Sequence, residues 1–189
     1  MDNLKTCFVI CPIGQENSDT RTRSNTVYEH ILKPVADQKQ YTLKRADKIY
    51  QADTITETII NELNTSDLVI ADITEANPNV YYELGYRTAL KKPIIQIARK
   101  NTQLPFDIST KRTYFYDETN LSDSENFKTM LLMIIDNIED NLKNKTNISS
   151  KSSSFGDTFA EKFFENMLSN PDKIDEYANF IEKISTITK

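Results

Sequence analysis

The run Asp67-Leu68-Val69-Ile70-Ala71-Asp72 constrains the chain most. Its four consecutive apolar residues are too few for a buried helix, and β-branched side chains sit at the centre. Such a run suits a strand covered on both faces, a position that belongs to parallel sheets rather than to solvent-facing antiparallel ones. The same grammar repeats around it. Cys7-Phe8-Val9-Ile10 is a second such strand, closed by Pro12 and Gly14, and Tyr41-Thr42-Leu43-Lys44 is a weaker one. Pro93 to Ala98 and Thr113 to Tyr116 complete five. Between them lie amphipathic helices. One covers roughly 25–39, capped by Ser24, with Val27, Tyr28, Ile31, Leu32 and Val35 on its buried side and a kink or early end at Pro34. Another covers roughly 54–64 and opens with a capping box of Thr54 and Glu57. A third starts with Asn77 as N-cap and Pro78 as first helical residue and runs to about Lys91. Strands alternating with helices across short links predict an α/β fold, a mainly parallel five-stranded sheet with helices on both faces. Ligands then bind beyond the carboxyl ends of the strands, on a rim of the loops at 12–24, 45–53, 72–83 and 99–107.

Beyond the sheet, residues 126–142 carry Phe127, Met130, Leu131, Ile134, Ile135, Ile138 and Leu142 at helical spacing, which predicts a covering helix and closes a domain at 1–142. Residues 143–156 read as a linker. Residues 157–189 hold two apolar stripes, Phe159/Phe163/Met167 and Ile174/Tyr177/Ile181/Ile184, which predict a C-terminal helical hairpin. A hairpin this small needs a partner surface, so it is expected to dock on the domain or to join copies into a homo-oligomer. No stretch approaches the roughly 20 apolar residues of a membrane span, and the apolar run at the start is short for a signal peptide, which predicts a cytoplasmic protein with no membrane partner. Two cysteines and one histidine leave no material for zinc sites or histidine triads. The net charge of −5 argues against general nucleic-acid binding.

The densest polar information follows the central strand, from Asp72 through Asn77-Pro78-Asn79 to Glu83-Leu84-Gly85. A strand ending in Asp72 feeds a helix that carries Glu83 in its second turn, with Asn79 one turn earlier on the same face. These residues read either as ordinary surface and strand-terminal groups or as a site. Gly85 inside a helix costs roughly 1 kcal/mol against Ala, which close packing or ligand approach would explain. The Pro12–Ser24 loop offers Gly14, Arg21, Arg23 and Ser24 beside a helix start, where amides and two guanidinium forks suit a phosphate; a solvated loop is the alternative. Cys7 and Cys11 read as inert core thiols and His30 as structural. Tyr81 and Tyr82 read as core aromatics before base-stacking ones.

The segment SDLVIADITEANPNVYYELGYRTALKKPIIQI, with FVICPIG and the Arg45-Ala46-Asp47 loop before it, resembles the nucleoside 2-deoxyribosyltransferase-like superfamily, including its bacterial TIR-like branch. The likeness covers about residues 6–117, and Asn77-Pro78-Asn79 leading to Glu83-Leu84-Gly85 is its most specific part. It implies a flavodoxin/TIR-like sheet, with Glu83 as the carboxylate that attacks the anomeric carbon of a nucleoside or nucleotide. A carboxylate stabilises the oxocarbenium-like centre only when ionised, so Glu83 is expected to keep a normal or lowered pKa, oriented by Asn79 or a tyrosine hydroxyl. The resemblance also implies a sugar or phosphate contact for Asn77, in competition with its capping role.

One departure stands out. The family's second catalytic Asp comes from the helix before the central strand, where this chain reads Thr58-Ile59-Ile60-Asn61, leaving Asp47 or Asp72 as replacements. Weak acid assistance suits a good leaving group, and nicotinamide leaves NAD neutral from a cationic ring. The expectation is an N-glycosidase-like enzyme, hydrolase or transferase, at the N-ribosyl bond of a nucleotide. NAD is the foremost substrate, and no cofactor or metal is required. Glu83 is catalytic, and Gly14, Arg21, Arg23, Ser24, Asp47, Asp72, Asn77 and Asn79 bind substrate. The alternatives are a non-catalytic nucleotide-sensing or assembly module and a nucleoside-monophosphate N-glycosidase.

Overall fold

Leu68–Asp72 (β3) is buried at every position, as a strand with neighbours on both sides and cover on both faces must be. The computed structural model describes residues 5–49, 55–109 and 111–144, the side chains of 55, 107 and 109 excepted. In it β3 lies between Lys5–Ile10 (β1) and Ile94–Arg99 (β4), with Tyr41–Arg45 (β2) outside β1 and Thr113–Tyr116 (β5) outside β4. Every pairing is parallel, in the order β2-β1-β3-β4-β5. The register sets Val9 opposite Ile70 and Ile70 opposite Ile95, so apolar rows run across the sheet. This is the flavodoxin-like order, whose direction of winding reverses between β1 and β3 and opens a crevice at their carboxyl ends.

Alternation along the strands sorts the core into two layers. Phe8, Ile10, Val69 and Ala71 pack with Leu63 of Ile55–Thr65 (α3) and with Val80 and Leu84 of Pro78–Ala89 (α4). Cys7, Val9 and Ile70 turn to the other face. The buried residues outside that first cluster include Val27, Ile31, Leu32 and Val35 of the first helical segment and Phe127, Leu131 and Ile135 of the helical residues 121–144 (α6). Phe127 meets Tyr116 with ring centroids 5.7 Å apart. A short helix, Phe106–Ser109 (α5), lies between β4 and β5.

The first helical segment begins earlier than its apolar periodicity predicts. Ser18, not Ser24, is the N-cap, its side chain accepting the Arg21 amide, and Asp19–Val27 (α1) follows. Residues 19–26 are polar on nearly all sides, so this part of the helix has no hydrophobic period to betray it. Pro34 does not end the helix. A π-helical turn over Tyr28–Leu32 precedes Lys33–Gln38 (α2), which takes the proline in its first turn. Pro34 has no N–H for the carbonyl four residues back, and its ring crowds that carbonyl; a widened turn accommodates both.

By compactness the chain divides into Met1–Asp136 and Asn137–Lys189. Of the second unit, residues 137–144 are described, and they are helical. The expected linker beyond 144 and the expected hairpin at 157–189 lie outside the described residues, as does the capping residue Thr54. Among the described residues no helix is long and apolar enough to cross a membrane.

Candidate active site

At the carboxyl ends of β1 and β2 a cavity of about 360 Å³ opens beside α3 and α4. Gly14, Asp47, Asn77, Asn79 and Glu83 all line it, and Phe8, Ile10, Ile13, Ile59 and Val80 contribute apolar wall. The sheet order accounts for this convergence. β1 ends at the switch point, and the loops after β1, β2 and β3 each deliver part of the lining.

Glu83 is half-buried on α4, and burial pushes its carboxyl up to about 7. This corrects the expectation of a normal or lowered value. The physical cause is desolvation without compensation: among the described residues no side chain or amide hydrogen-bonds to Glu83, neither Asn79 nor a tyrosine. The Tyr81 hydroxyl is itself enclosed and unbonded. A carboxyl balanced between its two forms near neutrality is the condition in which acid–base or nucleophilic work is most easily switched by a bound charge.

Asp47 is held in the opposite state. Burial alone would raise its carboxyl, yet the hydrogen bonds and charge of Arg45, and then of Arg21, keep it below the usual carboxylate range. Arg45 Nε donates to Asp47 Oδ1 at 2.6 Å and Nη2 to Oδ2 at 2.9 Å. The rest of that guanidinium donates to the Ser24 carbonyl, the Ser24 hydroxyl and Asn25 Oδ1. Arg45 is only 1% exposed and stacks over Tyr28, so it is a rigid mount. Arg21 Nη1 donates to Asp47 Oδ2 at 2.7 Å. Two carboxyls in one cavity are thereby driven apart in proton affinity, a pattern that assigns them different tasks. Asp47 is a fixed acceptor, and Glu83 is the group whose proton can come and go.

Asn77 caps α4, its Oδ1 accepting the Asn79 amide at 2.9 Å and the Val80 amide at 3.4 Å, and it lines the cavity as well. Gly14 sits at φ +69°, and a Cβ there would come within 2.6 Å of Ser18 Oγ and 3.0 Å of the Arg21 amide. No other residue lets the loop after β1 close so tightly onto the start of α1.

Four expected binding residues stand away from the cavity lining. Arg21 and Arg23 do not form one cationic fork. Two positions apart on a helix they face nearly opposite ways. Arg21 pairs with Asp47, whereas Arg23 pairs with Glu75. Ser24 lies buried inside α1, bonded to Arg45 and 3.3 Å from Cys11 Sγ. Asp72 is 1% exposed and accepts from the Thr74 amide and hydroxyl and from the Tyr116 hydroxyl at 2.7 Å. Burial raises its carboxyl in spite of these donors. Gly85 has open space where a Cβ would be, so neither packing nor close approach within this chain requires it. Tyr82 is exposed rather than core. His30 lies exposed on the π-turn. Cys11 does line the cavity, but burial pushes its thiol up to about 11, which leaves it un-ionised and inert.

Residues 15–150 match the Nucleoside 2-deoxyribosyltransferase family. The chain belongs to this family. No curated protein matches it. The solved structures similar to it include two deoxyribosyltransferases. One is a 2-desoxiribosyltransferase from Leishmania mexicana, 18% identical, with a TM-score of 0.40, covering 51% of this chain and 65% of that one. The other is a 2-deoxyribosyltransferase from the psychrotolerant bacterium Bacillus psychrosaccharolyticus, 10% identical, with a TM-score of 0.48, covering 65% of this chain and 90% of that one. Within this nucleoside 2-deoxyribosyltransferase family member, Ile59 from the segment without an acid presents an apolar side chain to the cavity. Sequence reasoning missed Arg45 and Glu75. The Arg45-x-Asp47 spacing was the available sign of the first, because an arginine two residues before an acid at a strand end can reach back to clamp it. Glu75 gave no sign, since only the fold brings it against α1.

Proposed function

We propose that this family member cleaves or transfers across the N-ribosyl bond of a nucleotide, with NAD as the favoured substrate and Glu83 as the catalytic carboxylate. The observation that carries the reading is Glu83 itself, a carboxyl with no partner among the described residues, in a cavity whose other carboxyl, Asp47, is locked as a carboxylate. The described lining contains no lysine or arginine. Such a wall favours a neutral or cationic group, and the nicotinamide-ribosyl half of NAD is cationic at the bond that breaks. A positive ring beside Glu83 lowers its proton affinity, so substrate binding itself converts the carboxyl to the form that stabilises or traps an oxocarbenium-like sugar. Asp47 accepts from a sugar hydroxyl and fixes the ring. Asp47 is held as a carboxylate and has no proton to give a leaving base, and Glu83 loses its own beside a cationic ring, which suits nicotinamide better than an ordinary purine or pyrimidine.

The test is incubation of the purified protein with NAD, with nucleosides and with nucleoside monophosphates, and detection of the free base. NAD is expected to release nicotinamide, with kcat/KM rising with pH towards a plateau above about 7. Glu83→Gln is expected to lower release at least 10³-fold while binding persists. Equal turnover by Glu83→Gln removes the residue from catalysis. Binding of nucleotide without base release by either protein favours the sensing module.

A further inference from the structure

The least satisfied buried group in the described chain is the Arg23 guanidinium. Arg23 is 8% exposed, its Nη1 meets Glu75, and its Nε and Nη2 are enclosed and bond nothing. Leaving two donors of a charged group dry and empty is unfavourable, because the water they would otherwise bind has been taken away. The acid that does reach it comes from outside. Glu75 sits exposed on the turn between β3 and α4, at φ +69° with Ala76 at φ +50°, a left-handed pair of non-glycine residues. Both of its carboxylate oxygens accept from Thr20 Oγ1 at 2.9 Å, in the first turn of α1. A planar carboxylate thus occupies a seat made of a helix-start hydroxyl and a buried guanidinium, and it leaves two of that guanidinium's donors unused. A tetrahedral group with three oxygens matches the seat better, since it can take the hydroxyl and more than one guanidinium N–H together.

We propose that Thr20 and Arg23 form a seat for a phosphoryl group, which Glu75 fills in the absence of ligand and vacates when the ligand binds. The seat is separate from the Glu83 cavity, whose lining includes neither residue. The two are joined through the chain. Glu75 lies two residues before Asn77, which caps the helix carrying Asn79 and Glu83, so release of the turn reaches the cavity through α4. The inference draws on the nucleotide reading only for one of two sources of the phosphoryl group, the substrate's own phosphate or free phosphate.

The experiment is calorimetric titration of the full chain with inorganic phosphate at constant ionic strength. Wild type is expected to bind weakly, because phosphate must displace an internal carboxylate. Glu75→Gln, whose amide oxygen can still accept from Arg23 and whose fold is checked by its urea midpoint, is expected to bind phosphate at least 10-fold tighter. Adding Arg23→Gln to that variant is expected to abolish the gain. Phosphate affinity that is unchanged or weaker in Glu75→Gln overturns the proposal and leaves the pair a structural ion pair. Arms with AMP and adenosine separate the sources. Competition of AMP, but not adenosine, with phosphate assigns the seat to the nucleotide's own phosphoryl group, and simultaneous binding of AMP and phosphate assigns it to free phosphate. Phosphate binding is read without turnover, so the seat is tested whether or not any base is released.

Discussion

Burial with no partner among the described residues separates Glu83 from Asp47, and it carries a consequence for stability that is independent of any substrate. Its carboxyl is raised from 4.5 to about 7 by desolvation. Below pH 4.5 the folded and unfolded chains both hold the proton, and Glu83 costs nothing. Between 4.5 and about 7 the folded chain keeps a proton that the unfolded chain has lost, so stability falls as pH rises, and above 7 the loss is complete. Glutamine imitates the protonated form at every pH. Glu83→Gln is therefore expected to match wild type in urea denaturation near pH 4 and to exceed it by roughly 2 kcal/mol at pH 8, after allowance for the partial exposure of the group. A constant difference across that range would contradict the unpartnered carboxyl. The sequence made Glu83, Asn77, Asn79, Gly14 and Asp47 legible as a cluster, since each sits at a strand end or in the first turns of the helix that follows. It did not reveal that Glu83 is unpartnered or that Arg21 and Arg23 diverge. Those facts depend on which side chains the crossovers bring together, such as Glu75 against Thr20, and no local pattern records them.

At the scale of elements, α4 shows how local chemistry and site are combined in one helix. Asn77 and Pro78 open it as their types require, and Val80, Leu84 and Arg87 bury its inner side. Gly85 is the exception, on the exposed side with nothing within 4 Å of the missing Cβ. A glycine there costs helix stability and gains no contact within the chain, so Gly85→Ala is expected to stabilise the protein by about 0.5–1 kcal/mol, read as a higher urea midpoint. A fall in the midpoint would mean that the helix is distorted at that turn. The strands and the start of α4 were legible because apolar runs and the Asn77 cap mark them. The start of α1 was not, because a helix whose first two turns are polar on all sides has no period to read. Nor was the π-turn, which is the response of a long helix to Pro34 once packing at Ile31, Leu32 and Val35 forbids it to end.

Across the whole molecule a parallel sheet has two unlike ends. All carboxyl ends meet at one rim, where Glu83 sits partly desolvated, and such a group detracts from stability unless the opposite rim compensates. That opposite rim is closed by Arg87, buried to 0% exposure at the far end of α4. Its Nη1 donates to the Leu63 carbonyl at 2.6 Å and its Nη2 to the carbonyls of Ser66 at 2.8 Å and Pro93 at 3.2 Å. These acceptors close α3 and precede β3 and β4, so one side chain satisfies the loose backbone ends of three elements from a fourth. Burial lowers the arginine's proton affinity, but a guanidinium in a protein keeps its proton, and the charge-assisted bonds persist. Methionine is long enough to fill the same path and cannot donate. Arg87→Met should therefore orphan the Leu63 and Ser66 carbonyls at about 1–3 kcal/mol each, the Pro93 carbonyl keeping the Val69 amide, a loss of roughly 2–5 kcal/mol. The same variant should leave nucleotide and phosphate affinity unchanged while it remains folded, because no part of Arg87 reaches the carboxyl rim. Equilibrium urea denaturation with an unchanged m-value and a lower midpoint, set beside a binding titration at low temperature, checks both halves. Weakened binding in a folded Arg87→Met protein would show that the two rims are coupled rather than divided between stability and chemistry.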